Sequence, residues 1–95
     1  MESLDLLFSK QICLEESRSM ILKYFLMEKI KESNLLPLYG IQISKYDGDM
    51  METDNVSGIS HSKERVISII RKLFQFDVTP ISMVEIIDDF VSQGI

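Results

Sequence analysis

Ser60-His61-Ser62-Lys63-Glu64-Arg65-Val66-Ile67-Ser68-Ile69-Ile70-Arg71-Lys72-Leu73-Phe74-Gln75-Phe76 is the stretch on whose reading the fold turns. Val66, Ile69, Ile70 and Leu73 fall at i, i+3, i+4 and i+7, the spacing that aligns side chains along one face of an α-helix. Ile67 and Phe74 widen that stripe, while Glu64, Ser68, Arg71, Lys72 and Gln75 hold the opposite face. Ser60 or Ser62 is placed to cap the first turn by accepting a hydrogen bond from a backbone N–H that has no partner inside the helix. Arg71 and Lys72 lie in the last turns, where positive charge meets the negative end of the helix dipole. A helix so one-sided must bury its stripe, and the rest of the chain has to present a surface to it.

Downstream, Asp77-Val78-Thr79-Pro80 breaks the chain and opens a second helix, with Thr79 as N-cap and Pro80 as first helical residue. Its expected buried stripe is Ile81, Val84, Ile87 and Val91, flanked by Met83 and Phe90. Glu85, Asp88, Asp89 and Ser92 are expected to face outward, and Gly94 to end the helix.

Upstream, the alternation is that of strands. Tyr39, Ile41 and Ile43 point one way and Gly40, Gln42 and Ser44 the other. Tyr46-Asp47-Gly48-Asp49 suits a tight hairpin, because glycine accepts positive φ without steric cost. A return strand through Met51, Thr53 and Asn55 is polar and reads as an edge. Met20 to Glu28 fits both periods, but its aromatic and branched residues favour a strand, with Leu22, Tyr24 and Leu26 on one face and Ile21, Phe25 and Met27 on the other. Asn34 and Pro37 punctuate the chain after it. Residues 1–18 read as a strand in preference to a helix or an arm, with Leu6, Phe8, Ile12 and Leu14 on one face, interrupted by Lys10, and a turn at Glu15-Glu16-Ser17-Arg18. The sum is an α+β domain spanning 1–95. Its antiparallel meander has three or four strands, with the sheet proper in 19–59 and an N-terminal strand or arm in 1–18. The helical pair of 60–93 packs on one face of that meander.

At 95 residues with 45% hydrophobic content the chain is of ordinary globular composition. Fifteen carboxylates against ten Lys and Arg leave a net charge of −5, a field that disfavours free nucleic acid as a partner. A single cysteine, Cys13, excludes an internal disulfide and suits a reducing cytoplasm. No apolar run approaches membrane-spanning length, so no membrane partner is expected, and Met1-Glu2-Ser3-Leu4-Asp5 starts acidic where a secretory signal starts basic.

The order of Leu22-Lys23-Tyr24-Phe25-Leu26, Tyr39-Gly40-Ile41-Gln42-Ile43, Ile59-Ser60, Val78-Thr79-Pro80 and Val84-Glu85-Ile86-Ile87-Asp88-Asp89-Phe90 resembles a small uncharacterised family, a domain of unknown function, from anaerobic spore-forming bacteria. The likeness covers roughly residues 19 to 91 and consists of packing and capping residues. It implies the fold and carries no activity, cofactor or catalytic residue with it.

Candidate sites are few. His61 stands at a helix start, but no nucleophile or orienting group stands at a spacing that would make it a catalytic base. Asp47, Asp49, Glu52 and Asp54 form an acidic cluster. A calcium loop would require an oxygen ligand where Met51 stands and a glycine later than Gly48, so the cluster reads as a solvated hairpin tip. Cys13 reads as a buried or half-buried thiol, and Met20, Met27 and Met83 as core filling. No cofactor or metal is expected, and no enzymatic role.

Charge is segregated between the helices: Lys63, Arg65, Arg71 and Lys72 on the first, Glu85, Asp88 and Asp89 on the second. A helix-turn-helix reading fails, because the second helix would carry those carboxylates into the phosphate backbone. The expectation is a non-enzymatic, protein-binding regulator or adaptor whose partner meets Glu85, Asp88, Asp89, Arg71 and Lys72. A narrower form is a regulator of sporulation or of a mobile element, such as a recombination directionality factor binding a serine recombinase. The competing class is weak nucleic-acid binding through the basic face of residues 60–76. A sheet with one helical layer also leaves its other face open, so one of two sets, Ile21, Phe25 and Met27 or Leu22, Tyr24 and Leu26, lacks cover, and a homodimer is expected to bury it.

Overall fold

The computed structural model describes residues 2–15, 17–30 and 36–93. Four strands, β1 (Glu2–Glu15), β2 (Arg18–Ile30), β3 (Pro37–Asp47) and β4 (Met50–Ser60), precede two helices, α1 (Lys63–Gln75) and α2 (Pro80–Ser92). The strands form one antiparallel sheet in chain order, so each pairs with its neighbour in sequence. Met20 to Glu28 is strand, and so is the N-terminal segment. Ser17 (φ 66°) and Gly48 (φ 61°) supply the left-handed residues that let the first and third hairpins reverse within a few residues. Asn34 and Gly94 lie outside the described residues.

One face of the sheet is the core. Leu22, Tyr24 and Leu26 of β2 and Tyr39, Ile41 and Ile43 of β3 are buried there together with Val66, Ile69, Ile70 and Leu73 of α1. Both helices pack on this side, α1 over β2, β3 and β4 and α2 over β3 and β4. Burying each such aliphatic side chain is worth about 1.5–3 kcal/mol before the cost of ordering it.

β1 departs from simple alternation. Leu6 pairs with Phe25 and Phe8 with Tyr24, so Leu7 is an extra residue, a β-bulge that shifts the register by one. Phe8 and Ile12 therefore pack on the core, whereas Leu6 falls on the opposite face at 50% exposure. A second irregularity between Cys13 and Glu15 leaves Leu14 exposed. The common face expected for Leu6, Phe8, Ile12 and Leu14 is thus divided, because a shift of one residue exchanges the two faces of a strand. Lys10, expected as an interruption, is an anchor. Its ammonium donates to the carbonyl of Phe74 at the end of α1, pairs with Asp77 and lies 4.1 Å from the centre of the Phe74 ring.

α1 starts at Ser62, whose hydroxyl accepts from the Arg65 N–H at 3.3 Å. After α1 the chain reverses through Asp77 (φ 53°), and buried Val78 accepts a 2.9 Å hydrogen bond from the Tyr24 hydroxyl. Phe74 stacks on Phe8 and meets Tyr24 edge-on. These ties fix how α2 enters and therefore how it is rolled about its axis. Its buried face is Pro80, Met83 and Ile87, with Ile86 and Phe90 half-buried beside them. Of the stripe expected from sequence only Ile87 is inside; Ile81, Val84 and Val91 are 79%, 42% and 44% exposed. Thr79 precedes α2 as expected, but its backbone carbonyl, not its side chain, takes the Ser82 N–H.

Across β3 and β4 the pairing passes from Tyr39–Ser60 to Ile41–Val56, so β4 bulges past Gly40. A Cβ on Gly40 would lie 2.4 Å from the Val56 carbonyl oxygen and 2.8 Å from the Ser57 Cα, so only glycine fits beneath the bulge.

Candidate docking surfaces

At 100° per residue, Ile81, Glu85, Asp88 and Ser92 form the outward crest of α2. Val84 and Val91 lie on one shoulder of that crest and Asp89 on the other. Glu85, Asp88 and Asp89 are all exposed, and α2 carries no cation. Asp88 and Asp89 stand near its C-terminus, where the helix dipole is already negative, so they cost local stability instead of adding to it. Phe76, at the end of α1, is 73% exposed.

The two basic residues expected to join this site stand on α1, with Lys72 against α2. Arg71 is exposed on α1, and Lys72 places its ammonium 5.5 Å from the ring centre of Phe90. Among the described residues no ion pair links Arg71 or Lys72 to Glu85, Asp88 or Asp89. The crest of α2 therefore presents three exposed carboxylates that form no ion pair with Arg71 or Lys72. The exposed apolar members Ile81, Val84 and Val91 were missed from sequence because they were assigned to the core. The signal that marks them as a second stripe is Asp88, which interrupts it, whereas Pro80, Met83, Ile87 and Phe90 run unbroken at the same spacing.

The other candidates resolve as follows. His61 shares a 2.9 Å hydrogen bond with the Pro37 carbonyl, tying the start of α1 to the start of β3. The hairpin acids are dispersed: Asp47 accepts from Arg18 at 2.9 Å, while Glu52 stands opposite Lys45 in the strand register with its Oε2 buried and without a hydrogen-bond partner. Among the described residues no three His, Cys, Asp or Glu side chains gather as metal ligands. Cys13 is exposed, neither buried nor half-buried. Met83 is in the core and Met20 packs against it, but Met27 belongs to the opposite face. Burial, and then the Asp77 charge, push the Tyr24 phenol well above its ordinary value; burial and the Glu28 hydrogen bond raise Tyr39 in the same direction.

The second surface is the face of the sheet turned away from the helices. Cross-strand pairing places Leu4 beside Met27 and Gly40, Leu6 beside Phe25, Gln42 and Asn55, and Gln11 beside Ile21, Tyr46 and Met51. Leu4, Leu6, Ile21 and Met51 are exposed, and Phe25, Met27 and Tyr46 half-buried. At one end a cavity of about 420 Å³ opens on this face, with Leu4, Met27, Leu38 and Gly40 in its lining and the β4 bulge at Ser57 and Gly58 as one wall. No helix among the described residues is long and apolar enough to cross a membrane.

The chain matches a family model over residues 3–93, and it belongs to that family, a family of unknown function (DUF6514). No curated protein and no solved structure matches it.

Proposed function

We propose that this member of the family is a non-enzymatic regulator or adaptor, and that the crest of α2 docks on a basic protein partner with an apolar groove. The observation that carries the reading is the composition of that crest. Ile81, Val84 and Val91 provide apolar area, while the exposed carboxylates of Glu85, Asp88 and Asp89 frame it and form no ion pair among the described residues. Apolar side chains bring affinity to a helix in a groove, and the carboxylates bring steering and register. A basic partner would also relieve the unfavourable placement of Asp88 and Asp89 at the helix end. Free nucleic acid fits this surface poorly, and Lys72, one of the four cations of α1, is turned toward Phe90.

The compartment that suits the reading is the cytoplasm, where an exposed lone thiol such as Cys13 stays reduced. Regulation of sporulation or of a mobile element, with a serine recombinase as the target, is the narrower form and requires the same face. Unchanged excision and spore formation in a deletion strain would remove it.

The experiment compares wild-type protein with an Ile81→Ser, Asp88→Lys double variant as bait in native lysate, read by quantitative mass spectrometry. The expected result is a stoichiometric partner with a basic surface, recovered by wild type, lost with the variant and weakened by salt. A partner held equally by both baits, or only background with either, overturns the proposal.

A further inference from the structure

We infer that the uncovered face of the sheet closes on the same face of a second copy of this chain, giving a two-layered β-sandwich dimer with the helices outside. A two-fold contact must be complementary to itself. This face meets that condition and the α2 crest does not. Along its rows the polar groups are amides and hydroxyls: Gln11, Gln42, Asn55, and Thr53, which shares a 3.0 Å hydrogen bond with Ser44. Each such group both donates and accepts, so it can pair with its own kind. The apolar groups, Leu4, Leu6, Ile21, Phe25, Met27 and Met51, need no partner of opposite sign. Of the cations on this face, Lys29 pairs with Glu2 at 3.5 Å, and Lys23, in the row of Ser9, Ser44 and Thr53, keeps its charge and lies 5.2 Å from the centre of the Tyr46 ring. The chain carries −5 in all, yet between Leu4 and Met51 these rows hold no carboxylate that would face its own copy. The α2 crest, carrying Glu85, Asp88 and Asp89, would repel itself.

The area is sufficient. Four strands about 4.8 Å apart and about eleven residues long at about 3.3 Å each span about 19 Å by about 36 Å. That is about 700 Å² per copy and about 1,400 Å² in total, within the range of stable specific interfaces. Two sheets packed face to face lie about 10 Å apart, which the projecting Phe25, Met27 and Leu6 side chains fill. The cavity beside Gly40 gives the face a recess into which side chains of the second copy can seat.

Sedimentation equilibrium of the full chain tests this directly, with dilution-dependent methyl NMR of the wild type as a readout that needs no mutation. A mass twice 11.0 kDa is expected, dissociating on dilution. The methyl signals of Met27 and Met51 should move with dissociation while that of core Met83 stays in place. Phe25→Lys and Met51→Lys should each weaken self-association at least ~100-fold by burying a further cation on a face that already holds Lys23 and has no carboxylate in these rows to meet it. The Ile81→Ser, Asp88→Lys variant should leave the dimer intact, which separates this inference from the docking role of α2. A monomer throughout, or a dimer whose dissociation shifts Val84 and Val91 but not Met27 and Met51, overturns it.

Discussion

Tyr24 is the residue through which the sheet holds the turn between the helices, and replacing it by Phe isolates that role. The ring is fully buried, and Tyr24→Phe keeps it, including its edge-on contact with Phe74 at 5.8 Å. What is lost is the 2.9 Å hydrogen bond to the carbonyl of Val78, itself only 6% exposed. A buried acceptor left without its donor costs about 1–3 kcal/mol, and since the ring is conserved we expect a loss of about 1–2 kcal/mol. In a domain of this size that lowers the melting temperature by about 4–8 °C per kcal/mol. Urea unfolding, followed by far-ultraviolet circular dichroism with the slope held common, measures it. A change under about 0.3 kcal/mol would refute the claim that this bond holds the α1–α2 turn, since it falls below the cost of any buried unpaired carbonyl.

The same residue predicts an alkaline limb. The folded phenol titrates above the unfolded one, whose ordinary value is 10, so below that pH both states hold the proton and nothing depends on pH. Above it the unfolded state loses its proton first, and stability falls by up to about 1.4 kcal/mol per pH unit through Tyr24. Tyr24→Phe should flatten that limb while Tyr39, shifted the same way, keeps part of it. An unchanged slope above pH 10 would contradict the assignment.

Two further outcomes follow from the packing. Gly40→Ala should cost more than about 2 kcal/mol or displace the β4 bulge, because its Cβ would meet backbone at 2.4 Å and not a flexible side chain; thermal melting and hydrogen exchange in β4 detect either. Lys10→Met should destabilise more than Asp77→Asn. The ion pair, with Asp77 51% exposed, contributes under about 1 kcal/mol in a double-mutant cycle and fades with salt, whereas the contacts to the Phe74 carbonyl and ring do not. Equal losses for the two variants would show that the pair alone matters.

The sequence alone determined the element types, their order and the burial of α1, because period-two and period-3.6 patterns and the turn and capping residues are local properties. Val66, Ile69, Ile70 and Leu73, the Gly48 turn and the buried trio Tyr39, Ile41 and Ile43 were all legible in this way. Of the candidate docking site, the outward carboxylates Glu85, Asp88 and Asp89 were legible. The exposure of Ile81, Val84 and Val91, and the lack among the described residues of an ion pair from those carboxylates to Arg71 or Lys72, were not. The tertiary structure decided which of two apolar stripes α2 turns inward, where β1 slips by one residue, and that Lys10 closes the end of α1. Each depends on contacts between residues far apart in the chain, 54 positions for Tyr24 to Val78 and 64 for Lys10 to Phe74. A local repeat states that a helix has an apolar face, but when two faces qualify only the groups that meet across the fold choose between them.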